Sequence, residues 1–83
     1  MKGILFTFRS ITTAQRGEEL LKSRGIDAVL RRTPRKLGEQ GCGYCLTVEE
    51  PAGRKAAALM RQYDIPFRRS FRVLGEDTVE VRL

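Results

Sequence analysis

The chain has no histidine, and its 83 residues include only two cysteines, Cys42 and Cys45. Without an imidazole, a hydrolase that uses a histidine base is excluded, as is every metal site with a histidine ligand. A zinc ion or an iron–sulfur cluster would need further thiolates from a second chain, because one chain supplies two. We therefore expect no metal ion, and an intersubunit metal site stays as a minor alternative.

Long apolar runs are also missing, since no stretch approaches the ~20 residues that a membrane span needs. Residues 3–8 are apolar but too short for the core of a signal peptide. We expect a cytosolic protein without membrane contact, in which thiols stay reduced unless they are catalytic or redox-sensing. The length predicts one domain over residues 1–83 with a thin core, which a homodimer could help to complete.

Acidic residues are scarce relative to basic ones: there are 10 Asp and Glu against 16 Lys and Arg, for a net charge of +6. That excess favours anionic partners such as nucleic acid, an acidic protein surface or a small oxyanion. Arginine greatly outnumbers lysine, and its planar fork suits planar anions. Solubility alone is the simpler explanation of the charge.

The hydrophobic pattern predicts an α+β fold with the order β-α-β-β-α-β, the ferredoxin-like arrangement in which two helices cover one face of an antiparallel sheet. Ser10 is the expected cap of the first helix, Gly25 its left-handed end, and Pro51 the start of the second helix. The predicted strands are residues 3–8, 26–33, 43–49 and 67–74. A hairpin turn at residues 75–77 predicts a fifth strand at the C-terminal edge, over residues 78–83.

A cationic segment precedes Cys42, and glycines flank this cysteine on both sides. Nearby cations favour the thiolate, which is the reactive form of a cysteine, and the flanking glycines leave the sulfur sterically open. The segment predicts a reactive or anion-holding thiol at Cys42. The alternative is a small buried cysteine beside a solvated basic hairpin. The cations concerned are Arg31, Arg32, Arg35 and Lys36.

The C-x-x-C spacing of Cys42 and Cys45 invites a redox interpretation. In a regular strand these two residues would lie ~10 Å apart on opposite faces. A disulfide needs Cα atoms within about 7 Å, so the pair could close only if Gly43 and Tyr44 formed a turn. A dithiol redox site is therefore an alternative, with Cys45 as its second thiol, and we expect Cys45 to be dispensable.

The chain resembles a small family of selenium/sulfur carrier proteins over roughly residues 4–67. In that family a strand leads to a Ser-capped helix, a Thr-Pro-Arg turn follows, and a Cys-Gly pair opens a later strand. The residues that carry the resemblance are Phe6, Ser10, Ala14, Glu18, Glu19, Leu20, Leu21, Lys22, Gly25, Ile26, Thr33, Pro34, Arg35, Cys42 and Gly43. Cys45 stands where the family pattern usually has an apolar residue.

The resemblance implies a carrier rather than a stand-alone enzyme. Cys42 would hold a sulfur or selenium atom as a persulfide or selenosulfide, without an organic cofactor, and pass it from a donor protein to an acceptor protein. Arg35 would be the basic residue of the turn and would stabilise the thiolate. The other expected binding residues are Arg32, Lys36, Thr33 and Gly43.

An RNA-binding module is the alternative from another class, because RNA-recognition domains share the same order of elements and the basic charge suits phosphate. Residues 41–45 stand where such domains carry a Gly-aromatic-Gly-aromatic signature on the third strand. Cys42 occupies the first stacking position, so one stacking ring is missing. On this interpretation the basic open face of the sheet binds RNA, and Phe6 from the first strand partly replaces the missing ring.

Overall fold

The computed structural model describes residues 2–37 and 43–83. In this part of the chain, five antiparallel strands form one sheet and two α-helices follow the first and third strands. The strands are β1 (Lys2–Phe8), β2 (Ala28–Arg32), β3 (Tyr44–Glu49), β4 (Ser70–Leu74) and β5 (Asp77–Val81), and the helices are α1 (Ile11–Ser23) and α2 (Gly53–Gln62). The predicted α+β class, the order of the elements and the fifth strand are confirmed.

The strands lie side by side in the order β2-β3-β1-β4-β5, and every neighbouring pair is antiparallel. Strand β3 lies between β1 and β2, and β1 lies between β3 and β4. Each of the units β1-α1-β2 and β3-α2-β4 therefore has one strand of the other unit between its own two strands. The chain therefore leaves β2 and returns into β3 at the end of the sheet where β1 finishes.

The helix boundaries follow from local sequence. The Ser10 side chain accepts a hydrogen bond of 3.2 Å from the Thr13 N–H, which caps α1 as predicted. Gly25 has φ of +77° directly after the end of α1, the left-handed conformation expected there. Pro51 lies in a short 3₁₀ turn, Glu50–Ala52, and α2 begins after it at Gly53.

Strands β2 and β4 begin two and three residues later than the sequence predicts. Strand β2 begins at Ala28 because the N–H of Ile26 still bonds the Leu21 carbonyl in closing α1. Strand β4 begins at Ser70 because two residues, Arg68 and Arg69, oppose the single residue Thr7, as in a β-bulge.

The core lies between the helices and one face of the sheet. It contains alternate residues of the strands and the inner residues of both helices, among them Ile4, Phe6, Phe8, Leu46, Val48, Ala14, Leu21 and Met60. A Cβ on Gly17 would come within 2.9 Å of the Leu46 side chain, so this glycine lets α1 pack closely on the sheet. That close approach explains why a residue that weakens a helix is found in its interior.

The opposite face of the sheet carries a small second cluster of Leu5, Cys45 and Phe71, with Leu37 and Val73 packed against it. We call this surface the open face because neither helix covers it. In the part of the chain that the structure describes, no helix is long and apolar enough to cross a membrane.

Candidate functional site

Cys42 lies outside the described residues, so its role and its distance from Cys45 stay predictions. The residues on either side of the β2–β3 connection are described and define the base of this loop. The Thr33 N–H donates a hydrogen bond of 3.0 Å to the Gly43 carbonyl, one residue beyond the end of β2. The chain therefore returns at Gly43 directly beside the point where it left.

Arg32 is held at this base by an aromatic ring. It is the last residue of β2 and lies opposite Tyr44, and its guanidinium lies 5.5 Å from the centre of the Tyr44 ring. A cation over a ring is attracted by the negative face of the π-system, which restricts the side chain without neutralising it. Arg32 thus presents a fixed positive charge near Gly43, the neighbour of Cys42.

Residues 33–37, which we call the strap, fold back over the open face. The Leu37 N–H donates a hydrogen bond of 2.9 Å to the Pro34 carbonyl, closing a turn, and Leu37 packs on the open-face cluster. The Lys36 ammonium donates a 3.2 Å hydrogen bond to the Glu76 carbonyl, in the turn between β4 and β5. Lys36 is therefore tied to the far end of the sheet, whereas Arg35 is exposed on the strap.

A cavity of about 710 Å³ that is partly open to solvent lies between the strap, the open face and the β4–β5 turn. Its walls include Leu5, Val29, Arg31, Cys45 and Val73, and the strap contributes Pro34, Lys36 and Leu37. Ligand pockets in proteins range from about 300 to 1,000 Å³. The strap therefore leaves a space of ligand size directly above Cys45.

Cys45 points to the open face and is almost completely buried, with 1% of its surface exposed. Its thiol donates a weak hydrogen bond of 3.8 Å to the Arg32 carbonyl. Burial raises the pKa of this thiol, because desolvation penalises the thiolate. The Thr33 hydroxyl and the Arg31 charge act in the opposite direction and do not overcome the burial. The Thr33 oxygen itself is buried and makes no hydrogen bond of regular geometry with a described residue.

The raised pKa of Cys45 predicts how the free energy of unfolding changes with pH. A folded pKa above the unfolded value means that the protonated thiol stabilises the fold below the pKa of an unfolded cysteine, about 8.5, and that this contribution is lost as the pH rises through the folded pKa. We expect the difference in unfolding free energy between the wild type and Cys45→Ala to narrow above about pH 8.5. Urea titrations of both proteins across this pH range measure the difference in unfolding free energy. A difference that does not change with pH would contradict the prediction.

The sheet brings Arg9 and Arg68 to this site from distant parts of the sequence. Phe8 pairs with Tyr44, so Arg9 leaves β1 at the end of the sheet where Gly43 enters β3. The Arg68 N–H donates a 2.7 Å hydrogen bond to the Thr7 carbonyl, which places Arg68 at the same end. Neither arginine is close to Cys42 along the chain, so only the pairing of β1 with β3 and β4 identifies them as neighbours of this site.

The open face does not have the surface that the RNA interpretation requires. Phe6 is fully buried on the helix side, so the prediction that it replaces a stacking ring on the open face is wrong. Tyr44 also packs toward the helices. Phe71 does lie on the open face, but it is 4% exposed, and the Arg69 guanidinium lies over its ring.

The comparisons with known proteins identify a family. No curated protein and no solved structure matches the chain. The family model described as "Putative Se/S carrier protein-like" matches residues 3–72. This match spans β1 from its second residue, all of β2 and β3, both helices and most of β4, and it includes the cysteines and the strap. The chain therefore belongs to the Se/S carrier protein-like family.

Proposed function

We propose that this protein carries sulfur or selenium on Cys42 and passes it from a donor protein to an acceptor protein. Membership of the Se/S carrier protein-like family is the observation that carries the proposal. The ferredoxin-like sandwich, with β5 added at its edge, serves as a one-domain scaffold that fixes the two ends of the loop containing Cys42. The same sequence features that favour a thiolate at Cys42 support this assignment over that of a structural cysteine.

The chemistry is an exchange of sulfane sulfur that needs no external oxidant. The Cys42 thiolate attacks the terminal sulfur of a donor persulfide, R–S–SH. The bond between the two donor sulfurs breaks, a bond from Cys42 to the transferred sulfur forms, and the donor leaves as the thiolate RS⁻. A donor R–S–SeH gives the selenosulfide in the same way. Transfer to the acceptor repeats the step with Cys42 as the leaving group.

The residues around the loop have separate roles in this proposal. Arg35 is exposed on the strap, and Arg32 is held against Tyr44 at the loop base, so both can stabilise the thiolate. Thr33 and Gly43 hold the ends of the loop together through their 3.0 Å hydrogen bond. Lys36 anchors the strap to the β4–β5 turn through its hydrogen bond to the Glu76 carbonyl, and its predicted binding role stays a prediction.

A Cys42–Cys45 dithiol is the second candidate, and the surroundings of Cys45 disfavour it. The Cys45 thiol is buried, its pKa is raised, and it faces a cavity floored by apolar residues. A resolving thiol must form a thiolate that reaches its partner, and this environment favours the protonated form. A buried apolar side chain is the role that agrees with the family pattern at this position.

Incubation with inorganic polysulfide, followed by intact mass measurement without reductant, tests the proposed function directly. We expect the native protein to gain the mass of sulfur, and digestion with chymotrypsin, which can cleave after Tyr44 between the two cysteines, should locate the added sulfur on the peptide that contains Cys42. Gain on the Cys45 peptide, or no gain on either, would contradict the proposal. Comparison with a selenosulfide donor then shows which chalcogen Cys42 accepts faster.

Arg35→Ala is expected to raise the Cys42 pKa. A free cysteine has a pKa of about 8.5 and electropositive surroundings lower it, so native Cys42 should be alkylated with a midpoint below that value. One exposed guanidinium contributes at most about 1 kcal/mol after solvent screening, so the expected shift is below about one pH unit. Iodoacetamide alkylation at increasing pH, read by mass spectrometry, measures the midpoint.

Lys55→Ala is the matched control for this shift. Lys55 is an exposed cation in the first turn of α2, at the end of the sheet away from Gly43. Its removal should leave the alkylation midpoint of Cys42 unchanged. An equal shift in both variants would show a general charge effect rather than a local role for Arg35.

A further inference from the structure

The fold sorts the charges of this protein by position along the strands. Five arginines that are scattered in sequence gather at one end of the sheet, and we call this surface the basic end: Arg9, Arg32, Arg61, Arg68 and Arg82. Arg9 follows β1, Arg32 finishes β2, and Arg82 follows β5. The opposite end of the sheet carries both signs: the acidic residues Asp27, Glu49, Glu50, Glu76 and Asp77 lie there together with Lys2, Arg54, Lys55 and Arg72, so its charges largely offset one another. The molecule is therefore polarised along its strands.

The basic end has positive charge that its own acids do not neutralise. Glu80 is bound by Arg69 through two hydrogen bonds of 2.7 and 3.0 Å, and Asp64 lies near Arg61 and Arg68. Arg9, Arg61 and Arg68 are exposed and form no ion pair with a described residue. These guanidiniums are available to an external anion.

Arg68 stands between two small clefts at this end. One cleft, of about 360 Å³, is bordered by Arg9, Thr13, Pro66 and Arg68. The other, of about 330 Å³, is bordered by Arg68 together with Arg61, Phe67 and Arg82, and also by Glu80, whose carboxylate is bound by Arg69. The Arg61 guanidinium lies over the Phe67 ring at 5.1 Å, which restricts its side chain. Adjoining clefts with a shared arginine can hold successive anionic groups of one linear ligand.

We propose that the basic end binds the phosphodiester backbone of single-stranded RNA. A nucleic acid strand carries anionic groups at a short, regular spacing, and the guanidinium fork matches phosphate oxygens in pairs. Carboxylates on a folded protein seldom recur so regularly, which favours RNA over an acidic protein surface. The basic end is a different surface from the open face, on which the sequence predicts RNA binding. Because Gly43 lies at the basic end, the bound strand would run beside the residue that follows Cys42 in the sequence.

Fluorescence anisotropy with a labelled oligouridine tests this proposal on the full chain. We expect binding with Kd of about 10⁻⁴ to 10⁻⁶ M near physiological salt, weakening as salt rises with a slope of about −0.7 per phosphate contacted. The triple variant R9A/R68A/R82A should bind at least about tenfold more weakly and show a salt slope shallower by about 2. Cys42→Ser should bind as the wild type does, so this test is independent of chalcogen loading.

The matched control is K2A/R54A/K55A, which removes three exposed cations from the opposite end of the sheet and lowers the net charge of +6 by the same amount. It should retain affinity within about twofold, since screening at physiological salt limits charge effects to ~8 Å. Arg68→Glu alone repeats the test with one substitution if the triple variant fails to fold. Equal losses at both ends, or no binding at low salt, would overturn the proposal. Displacement of the RNA by poly-L-glutamate at equal charge concentration would instead assign the surface to an acidic protein.

Discussion

Cys42→Ser is expected to abolish chalcogen loading, whereas Cys45→Ala should load to the same extent as the wild type. Serine removes the only atom of residue 42 that can form a bond to sulfane sulfur, and its hydroxyl stays protonated at neutral pH. Cys45→Ala removes a buried thiol whose raised pKa keeps it in the unreactive form. Intact mass after incubation with polysulfide compares the two variants directly.

The two substitutions control for each other, because each removes one thiol of the C-x-x-C pair. Loss of loading in both variants would favour the dithiol alternative, as would ready formation of a Cys42–Cys45 disulfide in mild oxidant. Retention of loading in Cys42→Ser would contradict the carrier proposal. Thermal unfolding of each variant shows whether a loss of loading comes from chemistry or from loss of the fold.

The order of elements could be predicted because each local signal agreed with the final fold. The Ser10 cap, the left-handed Gly25 and the alternation from Tyr44 to Val48 all depend on residues that are close in sequence. The ends of β2 and β4 could not be predicted in this way. They depend on a helix cap that extends to Ile26 and on a bulge opposite Thr7, and both arise from pairing between separate segments.

For the candidate site, the structure shows where the described members of the predicted set lie, and their functional roles stay predictions. The sequence identifies Arg32, Thr33 and Gly43, and the structure brings these three together at the loop base. It also groups Lys36 with them, but the backbone turn at Pro34 directs Lys36 to Glu76 instead. The order of charges along the chain does not show the direction of the Lys36 side chain, because that direction depends on the packing of Leu37 on the open face.

Gly53→Val is expected to lower the free energy of unfolding by about 3 kcal/mol, near the upper end for overpacking. A Cβ at this position would come within 2.5 Å of Ile4 Cγ1 and 3.2 Å of Ile4 Cβ. Ile4 cannot move aside easily, because its branched Cβ is attached to the central strand of the sheet and it is 2% exposed. For a domain of this size, the loss corresponds to a fall in Tm of roughly 12–24 °C.

Gly43→Val is the matched control for this loss, since a Cβ on Gly43 meets nothing within 4 Å. That substitution should change the free energy of unfolding by less than about 0.5 kcal/mol, and urea or thermal unfolding measures both variants. Equal losses would show that valine is unfavourable at either glycine for reasons other than contact with Ile4. A loss below about 1 kcal/mol for Gly53→Val would mean that the first turn of α2 can move away from β1. The close approach at Gly53, which no periodicity in the sequence reveals, would then not be what holds α2 against the sheet.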